Sequence, residues 1–293
     1  MKTNLKPNIK KQAGFTLVEM LVALAISSIL LVALFGSLFD VQRSWRSSRS
    51  QVNNVRNERA GVEMMVRDIR MAGSGYGGRP IVTGGITDPF VYPLQPKPGT
   101  SGAADTLVVT AGFSGVSALS SAAMASPTDP ITIADNANWN TNDLVVITDG
   151  INANMFEVTS KGGTTMLLHD ISSPYNNPSD HGVWPAGGYP PGSTVAKVRR
   201  VSYWIDDSGA QPRLLRQLDG GSVLPVSAGA LSMELNYVLA DGTVTQSPLD
   251  PSLIRSVTLQ YVPTMIDKPD HYSGASSTPG DTLQVRVQPR VLG

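Results

Sequence analysis

The chain has 293 residues, a formal charge of zero, 16% charged residues and no cysteine. The length suits one large domain or two modest ones. The missing cysteines exclude disulfides, thiolate metal sites and cysteine nucleophiles together. With 28 glycines, 21 prolines and little charge, the composition points to a β-rich, loop-rich body. It carries no global basic signal for nucleic acid.

The N-terminus comes first. Residues 1–14 hold Lys2, Lys6, Lys10 and Lys11 and no acid. From Phe15 to Phe39 the only ionisable residue is Glu19. A helix of that length is about 37 Å long, enough to cross a bilayer core of about 30 Å. A secretory signal peptide predicts a shorter apolar run ending in a small-x-small cleavage site. A plain signal anchor explains the lysines and the run but not the acid, which costs roughly 3 kcal/mol in lipid. An intramembrane acid normally has a partner. A cut between Gly14 and Phe15 would create a cation, the new α-amino group, with Glu19 as the fifth residue of the mature chain.

Gly14-Phe15-Thr16-Leu17-Val18-Glu19, behind a basic leader and before an apolar helix, resembles the class III signal of type IV pilins and type II secretion pseudopilins. The resemblance implies cleavage after Gly14 by a membrane prepilin peptidase, which also N-methylates Phe15. It implies that Glu19 pairs with the Phe15 amine of a neighbouring subunit during assembly. Cleavage removes four lysines and no acid, leaving a formal charge of −4. Arg43, Arg46 and Arg49 flank the far end of the span, so the distribution of positive charge does not orient it. Their spacing suits lipid head groups or a solvated helix face equally. The resemblance implies a leader in the cytoplasm and a body in the periplasm, anchored in the inner membrane.

Trp45, Ser48, Val52, Val55, Arg59, Val62, Val66 and Ile69 follow steps of three and four, widened by Met65. This predicts that the helix continues as an amphipathic segment over 40–72, about 58 residues in all, and stops at Gly73. Gly36 is either a flexible joint or an ordinary membrane glycine. Residues 73–78, GSGYGG, match G-x-G-x-x-G, but a helix precedes them where the dinucleotide fingerprint needs a strand.

Residues 73–102 contain 13 Gly or Pro and read as a loop. Short strands are expected at 106–110, 131–133, 144–148, 156–159 and 165–168. A second loop covers 171–193. Beyond it Val201/Tyr203/Ile205, Leu231 through Leu239, Val257/Leu259/Tyr261 and Leu283/Val285/Val287 alternate with period two, and Asp241-Gly242 makes a tight turn. These strands predict an antiparallel sheet whose apolar face receives the helix. The fold class is thus α+β and pilin-like, within a body of residues 73–293. The helix end "MVRDIRMAGSGYGG" and the runs "VRRVSYWIDDSGAQPRLLRQ" and "LSMELNYVLADG" resemble PilW-like minor pilins and the related J-type pseudopilins. Residues 100–193 fall outside that resemblance and are expected as an inserted β-rich unit.

Little catalytic chemistry is legible. His169, His181 and His271 are far apart in sequence, each beside an aspartate, and read as surface loop histidines. Catalytic signatures such as H-E-x-x-H and G-x-S-x-G do not occur. "DNANWNTND" (135–143) is rich in oxygen ligands but lacks the glycine and terminal acid of a calcium loop, so turn formation is the simpler account. Arg199, Arg200, Arg213 and Arg216 offer a basic patch, set against an acidic mature chain. The expectation is a non-enzymatic minor pilin without cofactor or metal. Its partners would be the prepilin peptidase, other minor pilins, the major pilin and inner-membrane lipid, with no nucleic acid. The rival readings are a J-type pseudopilin of a type II secretion system and a membrane-anchored adhesin or ligand-binding module.

Overall fold

The computed structural model describes residues 16–78, 80–83, 90–97, 106–178, 181, 183–209, 212–227, 229–265, 278–279 and 282–291. It forms two compact units, residues 1–52 and 53–293. One helix, α1 (Leu17–Met71), supplies the first unit and opens the second.

In the first unit α1 keeps its apolar side chains outside, from Leu17 to Val41. Leu17–Gln42 is long and apolar enough to cross a membrane, with mean hydropathy 2.6. Two of its hydroxyls are satisfied within the helix: Ser28 and Ser37 donate to the carbonyls of Ala25 and Leu34. The helix runs on through Gly36, and nothing lies within 4 Å of a Cβ built there. Trp45 is exposed.

In the second unit the strands in chain order are β1 (Ile81–Thr83), β2 (Phe90–Val91), β3 (Leu94–Lys97), β4 (Thr106–Ala111), β5 (Ser117–Leu119) and β6 (Ile131–Thr132). Next come β7 (Leu144–Thr148), β8 (Ala153–Glu157), β9 (Ser160–Gly162), β10 (Met166–Leu168), β11 (Thr194–Asp206) and β12 (Arg213–Leu218). The series ends with β13 (Val223–Pro225), β14 (Ala230–Leu239), β15 (Val244–Thr245), β16 (Ile254–Met265), β17 (Thr278–Pro279) and β18 (Leu283–Val287).

The thirteen-residue β11 organises the largest sheet. Its first half pairs with β7 and β5, and its second half with β4 and β12. β14, β16 and β18 form the antiparallel sheet that the period-two patterns predict, with β15 returning along β14 after a turn at Gly242, φ 86°. β6, β10 and β9 make a small third sheet.

The loop expected at 73–102 carries three short strands instead. β3 pairs with β4, and β1 lies parallel to β8. Strands of two to four residues are too short to display a period, and the flanking glycines and prolines dominate the pattern.

Three apolar clusters result. The first joins Val62, Met65, Val66 and Ile69 of α1 to residues of both large sheets, among them Val109, Tyr203, Leu235 and Leu259. Each such side chain contributes about 1.5–3 kcal/mol on burial. The second lies around Trp139, Phe156 and Tyr189, and the third around Tyr76, Ile81 and Met155. Strand β7 is buried on both faces, with Val145 and Ile147 in the second cluster and Leu144 and Val146 in the third.

The docked face of α1 differs from the expected stripe. Arg59 is exposed, and Glu58, Gly61 and Asp68 are buried with Val62, Met65, Val66 and Ile69. Positions 58, 61, 65 and 68 lie on one line of three- and four-residue steps. Gly61 selects it: a Cβ there would stand 2.6 Å from the Val226 carbonyl oxygen, so only glycine lets the helix approach so closely. The helix ends at Gly73, φ 77°, where a Cβ would meet Gly78 at 2.5 Å. GSGYGG is therefore a turn, fixed by hydrogen bonds from the Gly73 N–H to Thr110 and from the Gly112 N–H to Ser74.

Candidate assembly site

Gly14 and Phe15 lie outside the described residues. The first residues seen build a capping box. Thr16 is the N-cap: its N–H and hydroxyl both donate to Glu19 Oε2, at 2.9 and 3.0 Å. Glu19 N–H donates back to the Thr16 hydroxyl at 3.3 Å. A carboxylate in the first helical turn also meets the positive end of the helix dipole. Glu19 Oε1 has no hydrogen-bond partner among the described residues. The carboxyl thus stands at the start of α1 with Oε2 held by Thr16.

The other candidate residues resolve into structural roles. Asp68 Oδ2 accepts from the Tyr203 hydroxyl at 2.6 Å and from Arg216 Nη2 at 3.2 Å, and Arg216 Nε donates to the Tyr203 oxygen at 3.1 Å. This triad ties the "RDIR" segment to β11 and β12. Burial and the Asp68 carboxylate push the Tyr203 hydroxyl up, out of the titrating range. The sequence hid Asp68 and Glu58 because their neighbours Arg67 and Arg59 make the helix face look solvated. The usable signal was their spacing, four before Val62 and three after Met65.

The arginines do not form one patch. Arg216 is turned to Asp68, Arg213 meets Asp206 at 3.5 Å and Arg199 meets Asp219 at 3.8 Å. In the 135–143 loop, the Lys161 ammonium donates to the carbonyls of Asn136 and Trp139 at 3.2 and 3.0 Å. Asp135 and Asp143 accept from the backbone N–H groups of Ala137 and Asn140. These are turn bonds, with a lysine where a bound cation would otherwise meet carbonyl oxygens.

Two histidines depart from the surface-loop expectation. His181 stacks on Phe156 and His169 packs against it with its ring tilted by 36°, the centroids 4.6 and 4.3 Å away. His181 is buried and meets Asn154, which also accepts from the Tyr189 hydroxyl. His169 Nε2 donates to the Asp129 carbonyl at 2.8 Å. Folding brings together residues that sequence distance kept apart; His271 lies outside the described residues. A cavity of about 340 Å³ opens beside His169, walled by Pro127, Pro130, Leu168, Ile171 and Pro178.

Residues 9–35 match a family model described as the prokaryotic N-terminal methylation motif. No curated protein matches the chain, and no solved structure does. The matched segment contains Gly14, Phe15, Thr16 and Glu19 and most of the exposed apolar helix. Signal and helix together support a type IV pilin-like or pseudopilin protein, with a motif for N-terminal methylation and a helix that fits membrane anchoring.

Proposed function

We propose that the chain is a PilW-like minor pilin of a type IV pilus, a structural subunit that helps prime assembly with other minor pilins and the major pilin. The observation that carries this reading is Glu19. It is the one ionisable side chain between Leu17 and Phe39, and one of its oxygens is left without a partner among the described residues. Prepilin peptidase would cut after Gly14 and methylate the Phe15 amine. That cation on one subunit then meets Glu19 on its neighbour, removing the cost of an unpaired acid in lipid. The leader stays in the cytoplasm, the body stands in the periplasm, and the filament position is near the tip. The role is assembly, not catalysis.

Mass spectrometry of the native N-terminus tests the reading. It expects a mature chain beginning with N-methylated Phe15, and a mature form beginning elsewhere ends it. Glu19→Ala should spare cleavage and impair incorporation; normal incorporation removes the pairing role. Two rivals share the signal. A J-type pseudopilin of a type II secretion system would sit in a secretion operon. A membrane-anchored ligand-binding module gains some support from the cavity beside His169.

A further inference from the structure

Glu58 is buried, at 3% exposure, on the face of α1 that docks on the body. Among the described side chains, which leave out those of 46–55, none makes a hydrogen bond or ion pair with its carboxyl. The groups beside it satisfy each other: the Tyr261 and Ser227 hydroxyls share a hydrogen bond of 2.6 Å, and Tyr261 also donates to the Gly229 carbonyl at 3.4 Å. Three residues on, Gly61 sits against the Val226 backbone. An ionised carboxylate here loses most of its water and gains neither donor nor cation from those side chains. The titratable group facing it is Tyr261 of β16, whose own ionised form it would disfavour. Val226, Ser227 and Gly229 bring no charge, and on α1 itself Arg56 and Arg59 are exposed.

We propose that Glu58 is a proton-operated latch on the helix: neutral, it lets the turns around Glu58 and Gly61 lie on the body, and ionised, it lifts them off. The contacts beyond it, from Val62 to Ile69 with the Asp68 triad, hold the rest of the docked helix in place. The latch therefore sets how many turns of α1 the body holds. It needs no pilin function to operate.

Burial pushes the carboxyl up from 4.5 to about 7. The docked state then holds a proton that the undocked state releases. Docking is strongest at low pH, weakens as pH rises from about 4.5 to about 7, and is flat above. Linkage with those two values makes the docking constant fall about 30-fold between pH 5.5 and 8.5.

The test is amide hydrogen exchange on the full chain in detergent micelles, corrected for intrinsic rates, at pH 5.5 and 8.5. In the wild type the opening constant of residues 58–62 should rise about 30-fold, while residues 66–70 stay constant. Glu58→Gln, the same shape held neutral, should remove the change. A wild type that is flat at 58–62, or a Glu58→Gln protein that keeps the full change, overturns the latch. Carbon-13 titration of the Glu58 carboxyl in the wild type gives an independent reading. A midpoint near 7 is expected, and one near 4.5 refutes the idea whatever the variant does.

Discussion

The Asp68 triad offers the sharpest stability prediction. Asp68→Ala leaves the Tyr203 hydroxyl and the Arg216 guanidinium without their common acceptor beneath α1. Breaking a buried ion pair costs about 3–5 kcal/mol. Arg216 keeps 21% of its side chain in solvent and Asp68 9%. Water can therefore recover part of the arginine's hydration, which places the loss at about 3 kcal/mol. For a body of this size that is a fall in Tm of about 6–12 °C. The assay is thermal and urea unfolding of residues 43–293, followed by circular dichroism, which should first show a β-rich spectrum. Arg216→Met and the Asp68→Ala/Arg216→Met double variant complete a cycle. The double variant should be less damaged than the sum of the singles by about 1–3 kcal/mol, because it strands no charge. Additive losses, or an Asp68→Ala cost under about 1 kcal/mol, would refute the claim that the triad fastens helix to sheet.

Two further outcomes concern the cluster around Phe156. Burial holds His169 below its ordinary value, against the pull of Asp129 and Asp170, so the folded protein keeps it neutral where the unfolded chain begins to protonate. Its contribution is present above about 6.5 and is lost as pH falls further, since a second N–H at the buried Nδ1 finds no acceptor. Emission of Trp139 and Trp184 should report an acid-induced loosening that His169→Gln lacks; an unchanged acid transition in that variant assigns it to another group. Lys161→Met strips the ammonium from the Asn136 and Trp139 carbonyls and should cost about 1–3 kcal/mol by urea unfolding read at Trp139. A cost near zero would mean that water replaces the lysine there.

Legibility in the sequence followed chain length per element. β14 and β16 alternate over 231–239 and 257–261, long enough for period two to stand out, and they pair antiparallel as expected, with register shifts at Ala230/Ser232 and Val238/Leu239. The helix end was readable because Gly73 needs a left-handed backbone. β1, β2 and β3 were not readable, because pairings with β8 and β4 create them rather than any pattern of their own. Of β11 the alternation of Val201, Tyr203 and Ile205 showed the second half, while the first half pairs with β7 and buries Lys197 beside Asp143, 2.6 Å away. Of the candidate assembly site, Gly14, Phe15 and Glu19 stand out as residue types at fixed spacing, inside the segment that matches the N-terminal methylation motif. The capping role of Thr16 was equally present in the T-x-x-E spacing but went unread beside the stronger cleavage signal.

Two acids of α1, Glu19 and Glu58, show why a carboxylate in apolar surroundings cannot be read from its neighbours in sequence. Glu19 and Glu58 each precede apolar residues on one helix, and hydropathy treats both as flaws. Their difference lies in the donors. Glu19 is three residues from a helix start, where Thr16 and the first free N–H groups supply hydrogen bonds without any partner chain. It can keep an ordered carboxylate and still offer an oxygen to a cation. Glu58 lies deep in the helix, where every backbone N–H is already committed to the carbonyl four residues back. The residues it docks against, Tyr261 and Ser227, bond to each other. Its remaining way to lower its energy in place is to take up a proton. A cap position favours a standing acceptor for assembly, and a mid-helix position under a sheet favours a proton switch.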